Sequence, residues 1–232
     1  MLVTNPLINN AAAAAVSSTT SLHHNNNNAS RGAFIVMEGV DRCGKTTQCG
    51  LLLDQLRSDN IPAVAMRFPD RTTAIGAMIN QYLTGGTDLD DRAIHLLFTC
   101  NGRAIVLGMV QQSDVGLPAP DAVIFLDLSQ EEAQQRGGYG EERYETKDLQ
   151  IRVRQRFQKL QQLDTQVPWH VVSAAQSIEE VQADISKIVE KTMAQAKHKK
   201  LGKLWQEGDY VAACMQEKNK NNEEDEDSEK EN

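Results

Sequence analysis

The sequence lacks the features that mark membrane, secreted and nucleic-acid-binding proteins. No apolar run approaches the roughly 18 residues that a membrane span needs. The N-terminus has no basic region of the kind that begins a secretory signal, and the four cysteines form no CxxC pair. The formal net charge is −8, which gives no basic surface for nucleic acid. We therefore expect a reduced intracellular protein that binds neither membranes nor nucleic acid.

Charged residues are also missing from the first 30 positions, where alanine and asparagine form runs at 11–15 and 25–28. This composition is typical of disordered low-complexity sequence, and we predict such a segment over residues 1–30. The clustered acids near the other end predict a disordered acidic tail over residues 206–232. The remaining residues, 31–205, suffice for one domain.

Short apolar runs alternate with helix-like stretches through this domain. We predict strands at 33–37, 61–68, 122–126 and 170–172, and helices at 45–57, 72–83, 90–100, 149–163 and 177–197. Such alternation predicts an α/β fold in which a parallel sheet is flanked by helices.

The first predicted strand runs into a glycine-rich motif of the pattern G-x-x-x-x-G-K-[ST], and a helix follows it. The motif consists of Gly39, Val40, Asp41, Arg42, Cys43, Gly44, Lys45 and Thr46. In such a loop, backbone N–H groups and the helix N-terminus bind nucleotide phosphates. We expect Lys45 to reach the β- and γ-phosphates and Thr46 to ligate Mg²⁺. Arg42 could place a positive charge on the transferring phosphoryl group, and a solvated loop charge is the alternative.

Several long motifs resemble the thymidylate kinase family in its eukaryotic form. They are RGAFIVMEGVDRCGKTTQ at 31–48, RFPDRTTAIG at 67–76, HLLF at 95–98, DVGLP at 114–118, RGGYGEERYE at 136–145 and LGKLW at 201–205. The resemblance implies a P-loop nucleoside monophosphate kinase that uses ATP and Mg²⁺ to convert dTMP to dTDP for dTTP biosynthesis. It also suggests a homodimer. We expect a cytoplasmic location, with the nucleus and the mitochondrion as alternatives.

The resemblance implies roles for the matching residues. ATP would contact the loop residues 39–46 and Thr47, with Arg136 over the adenine. The dTMP site would comprise Asp41 at the sugar hydroxyl, Phe68 beside the sugar, Arg71 at the phosphate, Phe98 on thymine, and Tyr144 and Glu145 at the end of a glycine-rich lid. Arg42, Lys45 and Arg143 would be catalytic. Without the resemblance, core packing is the alternative for both phenylalanines.

The chain departs from the family between Asn101 and Asp114. The family has about thirty further residues there, the size of one βα unit, including a strand that ends in Asp-Arg-Tyr. No Asp-Arg-Tyr occurs in this sequence. In the family, that strand lies between the first two strands of the sheet. We therefore expect a sheet that lacks or replaces one central strand, with the apolar residues 104–110 as a candidate replacement or as an extension of the preceding helix.

The same gap removes the strand-end acid that the family places near Mg²⁺. Asp127, which ends the strand predicted at 122–126, is another strand-end carboxylate, but the family does not use this position for the metal. The alternative function is therefore a nucleotide-binding relative, or a splice form, with impaired catalysis, since a lost charge-stabilising group typically costs about two to three powers of ten in rate.

Overall fold

The computed structural model describes residues 2–4, 31–100, 118–137, 140–164 and 166–204. These residues belong to two compact units. The described residues of the first unit lie within 2–4, 31–67, 81–87 and 120–201, and those of the second within 68–80, 88–100, 118–119 and 202–204. Residues 104–110 and the acidic tail predicted over 206–232 lie outside the described residues.

A five-stranded sheet runs through the first unit. Its strands are β1 (Leu2–Thr4), β2 (Phe34–Gly39), β3 (Ala63–Ala65), β4 (Ala122–Asp127) and β5 (Trp169–Ser173). They lie in the order β3-β1-β2-β4-β5. Strands β2, β4 and β5 pair in parallel, which confirms the predicted parallel sheet. Strand β4 reads as a continuous apolar run because its residues 122–126 are all buried.

Six helices are present among the described residues. They are α1 (Lys45–Ser58), α2 (Ala74–Leu83), α3 (Asp91–Cys100), α4 (Gln130–Gln135), α5 (Lys147–Leu163) and α6 (Ile178–Ala196). Helix α4 was not predicted. It starts with a capping box in which Ser129 and Glu132 satisfy each other's backbone N–H groups, and this cap supports a helix of only six residues.

Strand β1, Leu2–Thr4, lies within the segment that was predicted to be disordered over residues 1–30. The strand pairs antiparallel with both β2 and β3, and Val3 lies opposite Phe34 and Val64. The sequence predicted a lost or replaced strand between the first two strands of the domain. That position is taken by the N-terminal residues.

The core of the first unit lies where helices α1 and α6 pack on the sheet. Leu52 of α1 and Ile185 of α6 are fully buried with Ile35 and Leu126 of the strands. A bidentate ion pair fixes the start of β2, because Arg31 donates to both carboxylate oxygens of Asp121 at 2.7 Å. No helix within the described ranges combines the length and the apolar character that crossing a membrane requires.

Candidate active site

The glycine-rich motif forms a tight loop between β2 and α1. Gly39 ends β2 with a φ of 149°, and Gly44 precedes α1 with a φ of 99°. A Cβ on Gly39 would lie 2.6 Å from the Leu126 carbonyl oxygen, so only glycine fits against β4. Burial raises the pKa of the Cys43 thiol beneath the loop, although the charge of Lys45 acts in the opposite direction.

The N-terminus of α1 is arranged to receive an anion. Its N-cap residue Gly44 provides no side-chain cap, and the first turn holds no acidic residue. The first backbone N–H groups of a helix have no partner within the helix, so they and the helix dipole favour a bound anion. The Lys45 ammonium donates to the carbonyl oxygens of Gly39 at 2.7 Å and Val40 at 2.8 Å. The loop therefore combines a fixed positive charge with a helix N-terminus.

Arg42 and Glu145 form a partly buried ion pair beside this loop. Arg42 Nε donates to Glu145 Oε1 at 2.8 Å, and the Glu145 side chain is only 6% exposed. The same carboxylate accepts backbone N–H groups from Gly140 at 2.9 Å and Glu141 at 3.0 Å. Burial opposes the ionisation of Glu145, but these hydrogen bonds outweigh it and hold its pKa below the ordinary value. Glu145 thus joins the end of the glycine-rich segment to the phosphate loop.

Asp41 is held by a residue that the sequence did not predict, Gln150. The Asp41 backbone N–H donates to Gln150 Oε1 at 3.0 Å, and Gln150 Nε2 donates to Asp41 Oδ2 at 2.9 Å. Gln150 Nε2 also donates to the Tyr144 carbonyl oxygen at 2.9 Å. Gln150 is buried in the first turns of α5, so its amide fixes the loop backbone and the Asp41 side chain together.

A cleft of about 310 Å³ opens beside the loop. Arg136 forms part of its wall and donates to the carbonyl oxygens of Arg42 at 2.9 Å and Ala174 at 2.6 Å. The cleft is lined by Cys43, Gly44, Thr47, Gln48, Arg136, Ala174, Gln176, Ile178 and Val181. Arg136 thus bridges the loop and the end of β5, and its planar guanidinium lies along the cleft. A mainly apolar cleft with a planar cation in its wall can hold a flat aromatic ring.

Comparison with known proteins decides the family. The family model for thymidylate kinase matches residues 37–112 and 105–185. The chain belongs to the thymidylate kinase family. The thymidylate kinase of Danio rerio is 41% identical over 208 aligned positions, which cover 75% of this chain and 98% of that protein. The human thymidylate kinase is 38% identical, with 76% of this chain and 99% of that protein covered.

A solved structure supports the fold of this thymidylate kinase family member. The thymidylate kinase of Candida albicans matches it with a TM-score of 0.63 and 27% identity, over 76% of this chain and 100% of that one. The internal deletion stays a prediction.

Arg143 and Tyr144 contact the end of α2 and the residues that follow it. The Arg143 guanidinium lies 4.2 Å from the centre of the Tyr82 ring, a cation–π distance. Its backbone N–H donates to the Leu83 carbonyl oxygen at 2.8 Å, and its Nη2 donates to that of Thr87 at 3.3 Å. The Tyr144 hydroxyl lies 3.1 Å from that of Tyr82. The structure thus places Arg143, predicted to be catalytic, on Tyr82.

Three of the predicted dTMP residues lie in the second unit. Arg71 Nη1 donates to Asn80 Oδ1 of α2 at 2.7 Å. Phe68, the first residue of the range 68–80, is exposed. Phe98 is half-buried on α3. The other predicted dTMP residues, Asp41, Tyr144 and Glu145, lie in the first unit. Gln150 contacts both Asp41 and Tyr144, and Glu145 contacts Arg42.

Asp127 does not offer a vacant carboxylate at the end of β4. Arg154 of α5 donates to both of its oxygens, at 2.6 Å from Nε and 2.7 Å from Nη2. The hydrogen bond to Asp127 raises the pKa of Arg154. Asp127 therefore packs α5 against the sheet, and this contact argues against a metal role. Within the described ranges, no group of three or more metal-binding His, Cys, Asp or Glu residues occurs.

Proposed function

We propose that this chain transfers the γ-phosphoryl group of ATP to dTMP and releases dTDP and ADP. The observation that carries the proposal is Arg42, which lies in the phosphate loop ahead of Lys45 and the N-terminus of α1 and is held there by Glu145. The choice of dTMP as the acceptor rests on similarity, because the human and Danio rerio relatives are named thymidylate kinases. The alternative of a relative with impaired catalysis is not favoured by these similarities.

ATP would bind along the first unit. Its phosphates would contact the loop N–H groups and Lys45, and its adenine would enter the cleft beside Arg136. Thr46 fits the role of protein ligand to Mg²⁺, because it is exposed in the first turn of α1 beside the phosphate position. Mg²⁺ bound there would neutralise charge on the phosphates and help to orient the γ-phosphoryl group.

Arg42 would stabilise the transferring phosphoryl group. Glu145 holds the Arg42 guanidinium, and the Arg42 side chain is 30% exposed. A phosphate carries more charge than a carboxylate and presents several acceptor oxygens, so it can compete for the same donors. Glu145 would keep its hydrogen bonds to the N–H groups of Gly140 and Glu141. Gln150, which contacts both Asp41 and the Tyr144 carbonyl oxygen, would hold the end of the lid to the loop while Arg42 turns towards the phosphates. A closed lid excludes water from the transfer step.

The dTMP roles follow the family resemblance. Asp41 would accept the sugar hydroxyl, and Gln150 would hold it in place for that contact. Arg71 would bind the dTMP phosphate with its planar fork, while Phe98 would stack on thymine and Phe68 would lie beside the sugar. Tyr144 would support the acceptor from the end of the lid. A homodimer and a cytoplasmic, nuclear or mitochondrial location stay predictions from the sequence.

The test is an ADP-release assay on the full chain with dTMP, UMP and AMP as acceptors. We expect dTMP to be preferred by at least about tenfold in kcat/KM, because base stacking and phosphate contacts are specific to the acceptor. Lys45→Ala should abolish ADP release, and Lys187→Ala, a change at an exposed position of α6, should leave it unchanged. Equal ADP release with all three acceptors, or with none above the ATP background, would contradict the proposal.

A change at Arg71 should affect binding of the acceptor without affecting binding of ATP. Arg71→Ala should raise KM for dTMP on the order of tenfold or more while KM for ATP stays within about twofold. Arg92→Ala is the matched control, because Arg92 is an exposed arginine of the same unit. If both variants change KM for dTMP equally, the effect comes from net charge and the assignment of Arg71 is wrong.

A further inference from the structure

The position between β2 and β3 is occupied by residues from the far N-terminus. On one side Val3 lies opposite Phe34 of β2, and on the other side it lies opposite Val64 of β3. Val3 and Thr4 are β-branched and favour a strand. Asn5 and Pro6 follow directly, and a proline lacks the N–H that continued strand pairing needs. The sequence thus encodes a short strand with a defined end, ahead of the low-complexity stretch.

This position matters because it lies inside the sheet, between two other strands. Strand β2 pairs with β4 along its other edge, and it ends at Gly39 in the phosphate loop. Strand β3 pairs with β1 over all three of its residues, from Ala63 to Ala65. On the β2 side Ile35 is fully buried, and a buried strand edge without partners leaves backbone N–H and C=O groups unsatisfied, which is strongly unfavourable. The position therefore favours an extended segment beside β2.

We propose that the space between β2 and β3 is a strand-addition site, and that residues 2–4 of the same chain occupy it in place of a strand from the shortened segment after Asn101. Strand addition takes its affinity from main-chain hydrogen bonds and needs only a short extended segment. The site would accept it antiparallel, with β-branched residues opposite Phe34 and Val64. By supporting β2, the N-terminal strand holds the start of the strand that ends in the phosphate loop.

The connection between β1 and β2 allows residues 2–4 to occupy the site. Residues 5–30 join β1 to Arg31, whose ion pair with Asp121 fixes the start of the domain. A segment that belongs to the same chain as its site binds in an intramolecular step, at an effective concentration set by the length of the connection. Closing a longer connection costs only slightly more, because loop entropy grows with the logarithm of length. A strand of three residues, too short to bind from free solution, can therefore be held when it is part of the chain.

A disulfide cross-link in the full chain tests the occupant. Residues directly opposite in an antiparallel pair have Cα atoms about 4.5–5.5 Å apart, within the range of a disulfide. We expect Val3→Cys with Val64→Cys to form an intramolecular disulfide at least about tenfold faster than Val106→Cys with Val64→Cys, which tests the competing segment 104–110. Mass spectrometry would identify the linked peptides, because the chain has four cysteines of its own.

Each outcome of the cross-linking either supports or overturns the proposal. A fast intramolecular link from position 3 supports the proposal. Equal rates for the two pairs, or a faster link from position 106, would overturn it. A link from position 3 that joins two chains would assign the site to a second copy and would also overturn the proposal as stated.

Hydrogen exchange tests whether the strand supports β2. Val3→Pro removes a backbone N–H from the ladder, while Val3→Thr keeps both the N–H and the β-branched shape. We expect the proline variant alone to lose amide protection in peptides that cover 34–39 and 63–65, and to lower Tm by about 4 °C or more. Unchanged protection in a folded Val3→Pro protein would refute the support of β2. If this variant does not fold while Val3→Thr does, that result and the cross-link together support the proposal.

Discussion

Gly76 offers a sharp test of the proposed acceptor site, because the backbone of Asp70 and Arg71 lies directly against it. Gly76 is in the first turn of α2, and its N–H donates to the Thr73 hydroxyl at 3.0 Å. A Cβ at this position would lie 2.6 Å from the Asp70 carbonyl carbon and 2.9 Å from the Arg71 Cα. It would lie closer still to the Asp70 carbonyl oxygen, and real Cβ atoms essentially never approach within 3.0 Å. Gly76→Ala must therefore displace this backbone.

The size of the effect follows from that displacement. Relieving the overlap requires a movement of roughly 1 Å, and a misplacement of about 1 Å can cost on the order of 10²-fold in rate. We expect kcat/KM for dTMP to fall about 100-fold, equivalent to about 2.7 kcal/mol of transition-state stabilisation. Since the second unit carries Arg71 and the first carries the phosphate loop, KM for ATP should stay within about twofold.

Gly50→Ala is the matched control. Gly50 lies within α1, and a Cβ there would have no neighbour within 4 Å. Its replacement by alanine should leave kcat/KM unchanged and raise stability by up to about 1 kcal/mol through helix propensity. Steady-state kinetics with dTMP and ATP varied separately, together with thermal unfolding, would measure both variants. A Gly76→Ala enzyme that keeps kcat/KM for dTMP within about threefold of the parent would refute the assignment of Arg71, and an equal loss for ATP would show that the change is not local.

Three further outcomes follow from the contacts of the phosphate loop. Glu145→Gln should lower Tm at pH 7; because folding holds the pKa of Glu145 below its unfolded value, its contribution is complete above about pH 4.3 and is lost as the pH falls through the folded pKa. Thermal scans should therefore show the two proteins converging in acid. Gln150→Leu should lower Tm by about 2–4 °C, the equivalent of about 1 kcal/mol, and raise KM for dTMP, whereas Gln155→Leu on the exposed side of α5 should do neither. Arg136→Ala should weaken binding of an ATP analogue about tenfold in titration calorimetry. Unchanged affinity would refute the proposal that adenine binds in the cleft.

Most of the fold could be predicted because its strong signals are local. The apolar run that became β4 and the motif between β2 and α1 were both placed to within one or two residues. Helix α4 was missed, although Ser129 and Glu132 have the spacing of a capping box, because six residues are too few to show a periodic pattern. Strand β1 was missed for another reason, since its partners lie about thirty and sixty residues further along the chain.

The site divides in the same way. The loop residues were predictable from a motif whose spacing reflects phosphate geometry. The partner of each loop residue was not, because contacts such as Arg42 with Glu145 join positions about a hundred residues apart. Gln150 carried no signal, since it lies among other glutamines and arginines of α5 and only burial distinguishes it.

The burial of Cys43 also governs how the protein reacts with thiol reagents. The thiolate is the reactive form of cysteine, and burial raises the pKa of both Cys43 and Cys49. Cys100, at the end of α3, is exposed. Alkylating labels and mild oxidants should therefore modify Cys100 before the two cysteines of the phosphate loop and α1. A fluorophore placed on Cys100 would report on the second unit and leave the nucleotide loop chemically intact.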